Sequence, residues 1–363
     1  AIVSSKDVTG FKTLRPDSLG PVITDGLWPG IRRPASRAAR EAEVASASAE
    51  PWVDSNGYLV AFHRALNPGH PVTLAYRADE KAGVKPDVEI PNATVELALV
   101  EASVAGGNFV LDLPVRYREQ LLSNEPKAVG AWKNLAQTAA WLKANSSLFG
   151  HPALKSITAL VEPGMQTREI ANLLHRRGAS PFLSNAADPL SSTHSSSAIV
   201  AAGLKQVPSD CYSLAEAGSI LVIDQPPSVQ ATPLRQEADR KFFSHGKGTI
   251  VAYNRRIIDP SEFAMDVIDL ITHKRRATRL WNAQSTIPLA TSGERPGEAL
   301  LHVINYGSGA REEIQAHIQG HFAKATLLCP DRPELNLKTA RRGPSTEVFL
   351  PNLQRMATVR FSN

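Results

Sequence analysis

Cysteine, long hydrophobic runs and a dominant charge sign are all scarce in this sequence of 363 residues. The longest apolar runs, such as Ile220–Ile223, are far shorter than the about 20 residues that a membrane-spanning helix needs, so we expect no membrane insertion. The two cysteines, Cys211 and Cys329, lie far apart and outside any CxxC spacing, which argues against a zinc or redox motif. We therefore predict two buried thiols, no metal and no other cofactor.

The charge of the chain is nearly balanced, with 40 Lys and Arg against 35 Asp and Glu. Basic residues are scattered, apart from short clusters at 274–276 and 341–342. A nucleic-acid-binding protein usually gathers them on one face with aromatic residues between them. The pattern therefore argues against nucleic acid as a partner.

The length fits two or three domains of about 100 to 200 residues each. The sequence starts at Ala1 without methionine, as does a mature product whose signal peptide has been removed, or a chain trimmed for other reasons. We expect a periplasmic or secreted protein on this ground, although two cysteines neither require nor exclude an oxidising compartment.

Short apolar strands alternate with amphipathic helices over the first 150 residues. Strands are predicted at 21–24, 52–53, 72–76 and 109–111, and helices at 36–47, 58–66 and 93–105. This repeated order of strand and helix predicts a parallel sheet or barrel wall. A longer helix at 126–144, ended by a polar stretch, places the first domain boundary at 150.

Two further domains are predicted after that boundary. Residues 151–278 have the pattern of a doubly wound α/β domain of flavodoxin-like or amidotransferase-like type, with 235–243 predicted as one of its helices. In residues 279–363, short apolar runs separated by Gly, Pro, Asn and Asp predict an antiparallel β-sandwich. The predicted fold class is thus α/β, with a partial (β/α) barrel-like domain over residues 1–150.

A polar side chain directly follows each predicted strand of the first domain. These side chains are Asp25, Asp54, Arg77 and Asp112. Because the carboxyl ends of strands form the binding face of barrel and open α/β folds, we expect them to converge on one cleft.

Two segments at this face place an aromatic ring beside a carboxylate, at 25–32 and at 51–58. Sugars bind with their CH faces on rings and their hydroxyls on carboxylate, amide and guanidinium groups. The predicted substrate-binding residues are Trp28, Arg32, Trp52, Asn56 and Arg77, with an oligo- or polysaccharide as ligand. In the other interpretation both tryptophans are packing residues, and Asp54 or Asn56 caps the next helix.

Glycoside hydrolysis uses two carboxyl groups, about 5 to 5.5 Å apart for retention or about 6.5 to 9.5 Å for inversion of configuration. The candidate catalytic residues are Asp25, Asp54 and Asp112, and the sequence does not choose a pair among them. Asp112 is equally suited to accept backbone hydrogen bonds in a tight turn. The tripeptide Asn124-Glu125-Pro126 matches a glycosidase acid/base motif but follows a predicted helix, so a helix start with proline in its first turn is favoured.

The order of these domains resembles that of multidomain glycoside hydrolases of the β-galactosidase type that carry a trimerisation domain. Residues 93–114, which include Gly106-Gly107-Asn108-Phe109, resemble the last helix and strand of such a barrel, 156–254 the middle domain, and 300–361 the terminal sandwich. The resemblance implies a glycoside hydrolase and a homo-oligomer. About four β/α units precede residue 150, whereas a closed barrel has eight. The alternative is a non-catalytic carbohydrate-binding or assembly protein derived from such an enzyme.

Overall fold

The computed structural model describes residues 20–31, 52–75, 91–111, 113–190, 196–254, 257, 260–271 and 275–363. Three predicted site residues, Arg32, Arg77 and Asp112, lie outside the described residues, as does the predicted helix at 36–47. No helix within the described ranges is long and apolar enough to cross a bilayer. The coarse prediction of a mixed α/β protein is confirmed.

The N-terminal region contains a small parallel sheet covered by helices. Its strands are β1 (Val22–Ile23), β4 (Thr73–Leu74) and β5 (Asn108–Phe109), hydrogen-bonded in that order, and a separate antiparallel pair joins β2 (Gly30–Ile31) to β3 (Val53–Asp54). Helix α1 (Gly57–Leu66) connects β3 to β4, and α2 (Ala93–Val104) precedes β5. Among the described residues the three parallel strands do not close into a barrel.

Glycine is required where β5 enters this sheet. A Cβ at Gly107 would lie 3.0 Å from the carbonyl oxygen of Val72 and 2.7 Å from a methyl carbon of Val60. The strand can therefore approach α1 and β4 only because the side chain is missing.

Two more helices pack on α2, namely α3 (Val115–Leu122) and α4 (Pro126–Ala144), and a short 3₁₀ turn (Ser146–Leu148) follows them. Tyr117 and Leu135 are fully buried in the cluster that α2, α3 and α4 share. The predicted helix at 126–144 is confirmed, and Pro126 occupies its first turn. The expectation for Asn124-Glu125-Pro126 as a helix start is confirmed as well.

The central region is built on a seven-stranded sheet of order β10-β11-β12-β9-β8-β6-β7. Its strands are β6 (Ile157–Val161), β7 (Phe182–Asn185), β8 (Ala198–Val200), β9 (Ile220–Ile223), β10 (Thr232–Gln236), β11 (Arg240–His245) and β12 (Gly248–Tyr253). The five parallel strands run β7-β6-β8-β9-β12, the 2-1-3-4-5 order of a doubly wound sheet. Helices α5 (Met165–Arg176) and α7 (Pro260–Leu270) cover one face, and α6 (Ser209–Ala217) covers the other.

The helix predicted at 235–243 is wrong, because β10 and β11 occupy this stretch as antiparallel strands. Phe242 and Phe243 pair with Val251 and Ile250 of β12, so cross-strand packing overrides the local helical spacing. Strands β11 and β12 form a hairpin whose two-residue turn begins at Gly246, and the φ of 58° at this glycine suits such a turn.

The C-terminal region consists of two antiparallel sheets. The first contains β13 (Thr278–Trp281), β16 (Ile314–Gln319), β20 (Ser345–Leu350) and β19 (Ala340–Arg342), and the second contains β14 (Thr286–Ser292), β15 (Ala299–Asn305), β21 (Met356–Ser362), β17 (Lys324–Cys329) and β18 (Arg332–Leu337). Buried side chains of both sheets form one apolar cluster, which includes Ile318, Val348 and Phe361. The sequence prediction missed β13, β14 and β19.

Candidate functional site

Asp25 lies just beyond the carboxyl end of β1, where its carboxylate meets a helix of the central region. Its Oδ2 is 2.6 Å from Nη1 of Arg168 on α5, and 57% of its side chain is exposed. Burial alone would lower the pKa of Arg168, but Asp25 and Tyr58 together raise it. Burial raises the pKa of Tyr58, and Arg168 partly offsets that rise. The result is an open carboxylate whose orientation is fixed by a charge-assisted hydrogen bond.

Trp52 is packed between the same helix and Asp54. The guanidinium carbon of Arg176 lies 3.1 Å from the centroid of the Trp52 ring, and Arg176 Nε donates to the carbonyl of Val53 over 2.8 Å. The indole Nε1 donates to Oδ1 of Asp54 over 2.9 Å. One ring face is thus covered by Arg176, and the Asp54 carboxylate is held beside it.

Asn56 is buried, with 1% of its surface exposed. It is the residue before α1, but its side chain makes no capping hydrogen bond. Instead it exchanges two hydrogen bonds with the backbone of Leu27 and donates from Nδ2 to Oε1 of Glu101 over 2.6 Å. These contacts give Asn56 a packing role, and the sugar contact predicted for it stays a prediction.

Glu101 is the centre of a buried polar network that sequence reasoning missed. Its Oε2 accepts hydrogen bonds from the backbone N–H of Asn56 over 2.9 Å and from the hydroxyl of Tyr306 over 3.1 Å. Burial, with the nearby charge of Glu101, raises the pKa of Tyr306 well above its usual value. A signal was present, because Leu97, Glu101 and Val104 follow the spacing of one buried helix face.

Trp28 is half-buried and packs against two apolar clusters, one around Leu74 and one around Tyr117. It follows Asp25 by three residues, in the loop between β1 and β2. Its placement fits the packing interpretation of the sequence, and its role in stacking on a sugar is a prediction.

A cavity of about 630 Å³ lies where the three regions meet. Its walls come from α1, the end of α2, α5 and strands β14 and β15, and include Arg64, His175 and Ile287. Its volume lies in the range of small-molecule sites. None of the predicted site residues that the structure describes lines it.

Two polar side chains in the wall of this cavity, His175 and Arg64, contact other elements closely. His175 lies against Gly57, where an added Cβ would be 3.1 Å from Nε2, and burial lowers the pKa of His175 to about 4. Arg64 donates to the carbonyls of Ala105 and Gly150 over 2.7 and 2.8 Å. It therefore joins the carboxyl end of α2 to the start of the central region.

The central sheet has its own polar residues at the strand ends. Asp224 follows β9 and accepts a hydrogen bond from the backbone N–H of Gly203 over 3.1 Å, so it fixes a neighbouring loop.

Burial raises the pKa values of Cys211 and Cys329 to about 12, as expected for inert buried thiols. Within the ranges that the structure describes, no group of three or more His, Cys, Asp or Glu is arranged to hold a metal ion.

Neither a family model nor a curated protein matches this chain. Solved structures do match. The α-L-fucosidase isoenzyme 2 from Paenibacillus thiaminolyticus superposes on 84% of this chain and 62% of its own, with a TM-score of 0.56 and 8% identity. A β-galactosidase from Bacillus circulans sp. alkalophilus superposes on 85% of this chain and 58% of its own, with a TM-score of 0.52 and 10% identity.

Gan42B, a GH42 β-galactosidase from G. stearothermophilus, superposes on 85% of this chain and 56% of its own, with a TM-score of 0.51 and 10% identity. This chain thus spans about three fifths of the length of these solved chains. At such low identity the likeness is one of fold: the chain has a glycoside-hydrolase-like fold.

Proposed function

We propose that this chain is a carbohydrate-active protein and that its glycan lies on the strand-end face of the N-terminal region. The observation that carries the proposal is the fold likeness, over more than four fifths of the chain, to proteins described as a fucosidase and β-galactosidases. Function must still be argued from a site. Asp25 supports the choice of face, because it is a half-exposed carboxylate at a strand end, held in one orientation by Arg168.

Glycoside hydrolysis is the reaction we propose for this face. Asp25 would act with Asp54 or Asp112, one carboxyl group protonating the leaving oxygen and the other attacking the sugar or activating water. Trp28 would offer ring surface to the sugar, and Arg77 and Arg32 would bind its hydroxyls. The separation of the reacting pair decides between retention and inversion.

A second candidate is a non-catalytic carbohydrate-binding or assembly protein of the same architecture. It is favoured by the engagement of both described carboxylates, Asp25 with Arg168 and Asp54 with the Trp52 indole. Arg168 and Arg176 both come from the central region, so these contacts also hold two regions together. Carboxylates used in this way serve assembly without any reaction.

Turnover separates the two candidates. The full chain is assayed on aryl galactosides and aryl fucosides, beside the single variants Asp25→Asn, Asp54→Asn and Asp112→Asn. Loss of the acid or base of the reacting pair should lower kcat by about 10²- to 10⁴-fold. Asp188→Asn, at an exposed loop position, is the matched control.

Each outcome has a defined meaning. Turnover that is unchanged in all three variants would refute hydrolysis at this face. A melting temperature raised by oligosaccharides, without turnover, would support the second candidate. Absence of both turnover and ligand protection would contradict the proposal as a whole.

A further inference from the structure

The four-stranded sheet of the C-terminal region has an outward face that the candidate site does not use. Along β16, Ile314, Ala316 and Ile318 are fully buried in the core, so the alternating side chains of Gln315 and His317 point outward. The same alternation on β20 buries Val348 and leaves 54% of Phe349 exposed.

Two aromatic rings lie in one row across this face. The strand register places Trp281 of β13 opposite Gln315 of β16, and Gln315 opposite Phe349 of β20. Trp281 and Phe349 are therefore two strand spacings apart, about 10 Å. This is about the length of a disaccharide, with an amide side chain between the two rings.

A charged row runs beside the aromatic one, because Arg279 pairs in register with His317 and His317 with Glu347. Glu347 is almost fully buried by its neighbours and accepts hydrogen bonds from His317 over 2.8 Å, from Gln315 over 2.5 Å and from Arg342 over 3.1 Å. Burial alone would raise the pKa of Glu347, but these hydrogen bonds outweigh it and lower the pKa. The carboxylate is thus ionised and already neutralised by its own neighbours.

Arg279 is the cation that this row leaves for a ligand. Its guanidinium lies 4.5 Å from the centroid of the Trp281 ring, and no ion pair to a carboxylate is found for it among the described residues. Arg342 adds an exposed guanidinium on the far side of Glu347. The face therefore combines ring surface, hydrogen-bonding groups and a net positive charge.

Cross-strand pairs of this kind also stabilise a sheet by themselves. That role accounts for Glu347, which is buried, and for the three donors that contact it. It does not account for the exposed ring of Phe349 in register with Trp281. It also leaves Arg279, which contacts the Trp281 ring, without a carboxylate partner among the described residues. Single-stranded nucleic acid also stacks on aromatic rings, but its binding proteins line a groove with several cations along the backbone. This face has one arginine on each side of Glu347, Arg279 and Arg342, which argues against nucleic acid as the ligand.

We propose that this face binds an acidic oligosaccharide, with sugar rings on Trp281 and Phe349 and a uronic acid carboxylate on Arg279. The proposal goes beyond the strand-end face, since it requires neither Asp25 nor any catalysis. Its ligand is chosen by charge complementarity together with the aromatic row.

Affinity gel electrophoresis and calorimetry test this site, with polygalacturonate as the acidic glycan, amylose as the neutral one and an oligonucleotide as the other polyanion. Trp281→Ala, Phe349→Ala and Arg279→Gln should each weaken polygalacturonate binding by about tenfold. Raising the salt from about 0.05 M to about 0.5 M should weaken binding of the unmodified chain more than that of Arg279→Gln. Leu335→Ala and Arg118→Gln, at exposed positions elsewhere, are the controls and should bind normally.

Binding is measured in the Asp25→Asn, Asp54→Asn, Asp112→Asn triple variant as well, so that failure at the strand-end face leaves this result readable. If Trp281→Ala does not fold, Phe349→Ala remains, because more than half of that side chain is exposed. Unchanged affinity in Phe349→Ala and Arg279→Gln, equal affinity for amylose, or preference for the oligonucleotide would overturn the proposal.

Discussion

Replacing Glu101 with glutamine should destabilise the protein, because this buried carboxylate accepts hydrogen bonds from three donors in the N-terminal and C-terminal regions. The donors are Asn56 N–H at 2.9 Å, Asn56 Nδ2 at 2.6 Å and Tyr306 O–H at 3.1 Å. A hydrogen bond to a charged group contributes about 1.5 to 3 kcal/mol. Glutamine keeps one acceptor oxygen and turns an NH₂ group toward the remaining donors. We expect Glu101→Gln to lower the free energy of unfolding by about 2 to 4 kcal/mol.

Urea unfolding followed by tryptophan fluorescence measures this change. Tyr306→Phe removes one donor, and the double variant should show a coupling energy of about 1 to 2 kcal/mol with Glu101→Gln, since the two groups touch. Glu119→Gln, on the exposed side of α3, should stay within about 0.5 kcal/mol of the unmodified chain. The reasoning is refuted if Glu101→Gln behaves like Glu119→Gln, or if the effects at Glu101 and Tyr306 simply add.

Three further predictions concern groups at the junctions of the regions. Arg176→Gln removes the guanidinium over Trp52 and the donor to the carbonyl of Val53, so thermal unfolding should show a free energy of unfolding that is lower by about 1 to 3 kcal/mol. A decrease no larger than that of Arg118→Gln would contradict a stabilising role for these contacts. Gly57→Ala brings a methyl group to 3.1 Å from Nε2 of His175, so urea unfolding should show a loss of about 1 to 3 kcal/mol in the unmodified chain. The same substitution should cost little in a chain that already carries His175→Ala, and an equal cost in both backgrounds would exclude this collision as the cause. Burial, helped by the charge of His151, lowers the pKa of His302 to about 3. As the pH falls below about 6.5, this histidine becomes protonated in the unfolded chain but stays neutral in the folded chain. The free energy of unfolding therefore declines. Between pH 7 and pH 5 the unmodified chain should lose about 2 kcal/mol more than His302→Gln, as measured by urea midpoints, and equal losses would contradict the assignment.

The parts of the fold with strong local signals were predictable from the sequence. The helix at 126–144 begins at a proline and carries an apolar stripe, and the structure places it at the predicted residues. The strand before Asp224 is a continuous apolar run, as buried parallel strands are, and it lies within the central sheet. In both cases local spacing and tertiary packing favour the same structure.

The prediction was wrong where tertiary pairing outweighs local spacing. Residues 235–243 have a helix-like spacing of apolar residues, but Phe242 and Phe243 reach their partners only by lying opposite β12. Strand β14 was missed because Pro288 breaks its pattern, although the flanking residues pair with β15. Neither partner strand is visible in a local window of sequence.

For the candidate site, sequence reasoning located several residues relative to the strands but did not give their contacts. It placed Asp25 and Asp54 directly after two strands of one parallel sheet. The structure has Asp25 just beyond β1, whereas Asp54 is the last residue of β3, which pairs with β2 outside the parallel sheet. Sequence reasoning could not foresee that Arg168 and Arg176, more than 110 residues further along the chain, supply the groups that contact Asp25 and Val53. Contacts between regions depend on how the regions pack, and that information is not local.

Helix α5 has a consequence for exchanging parts of this protein with those of others. By sequence and sheet it belongs to the central region, yet Arg168, His175 and Arg176 all meet residues of the N-terminal region. A chimera joined at residue 150 would exchange these three side chains together with the central sheet, and would uncover the ring of Trp52. A junction placed after Arg176 would keep these three side chains with the N-terminal region that they contact. The end of α5 is therefore the better junction for a hybrid built on this architecture.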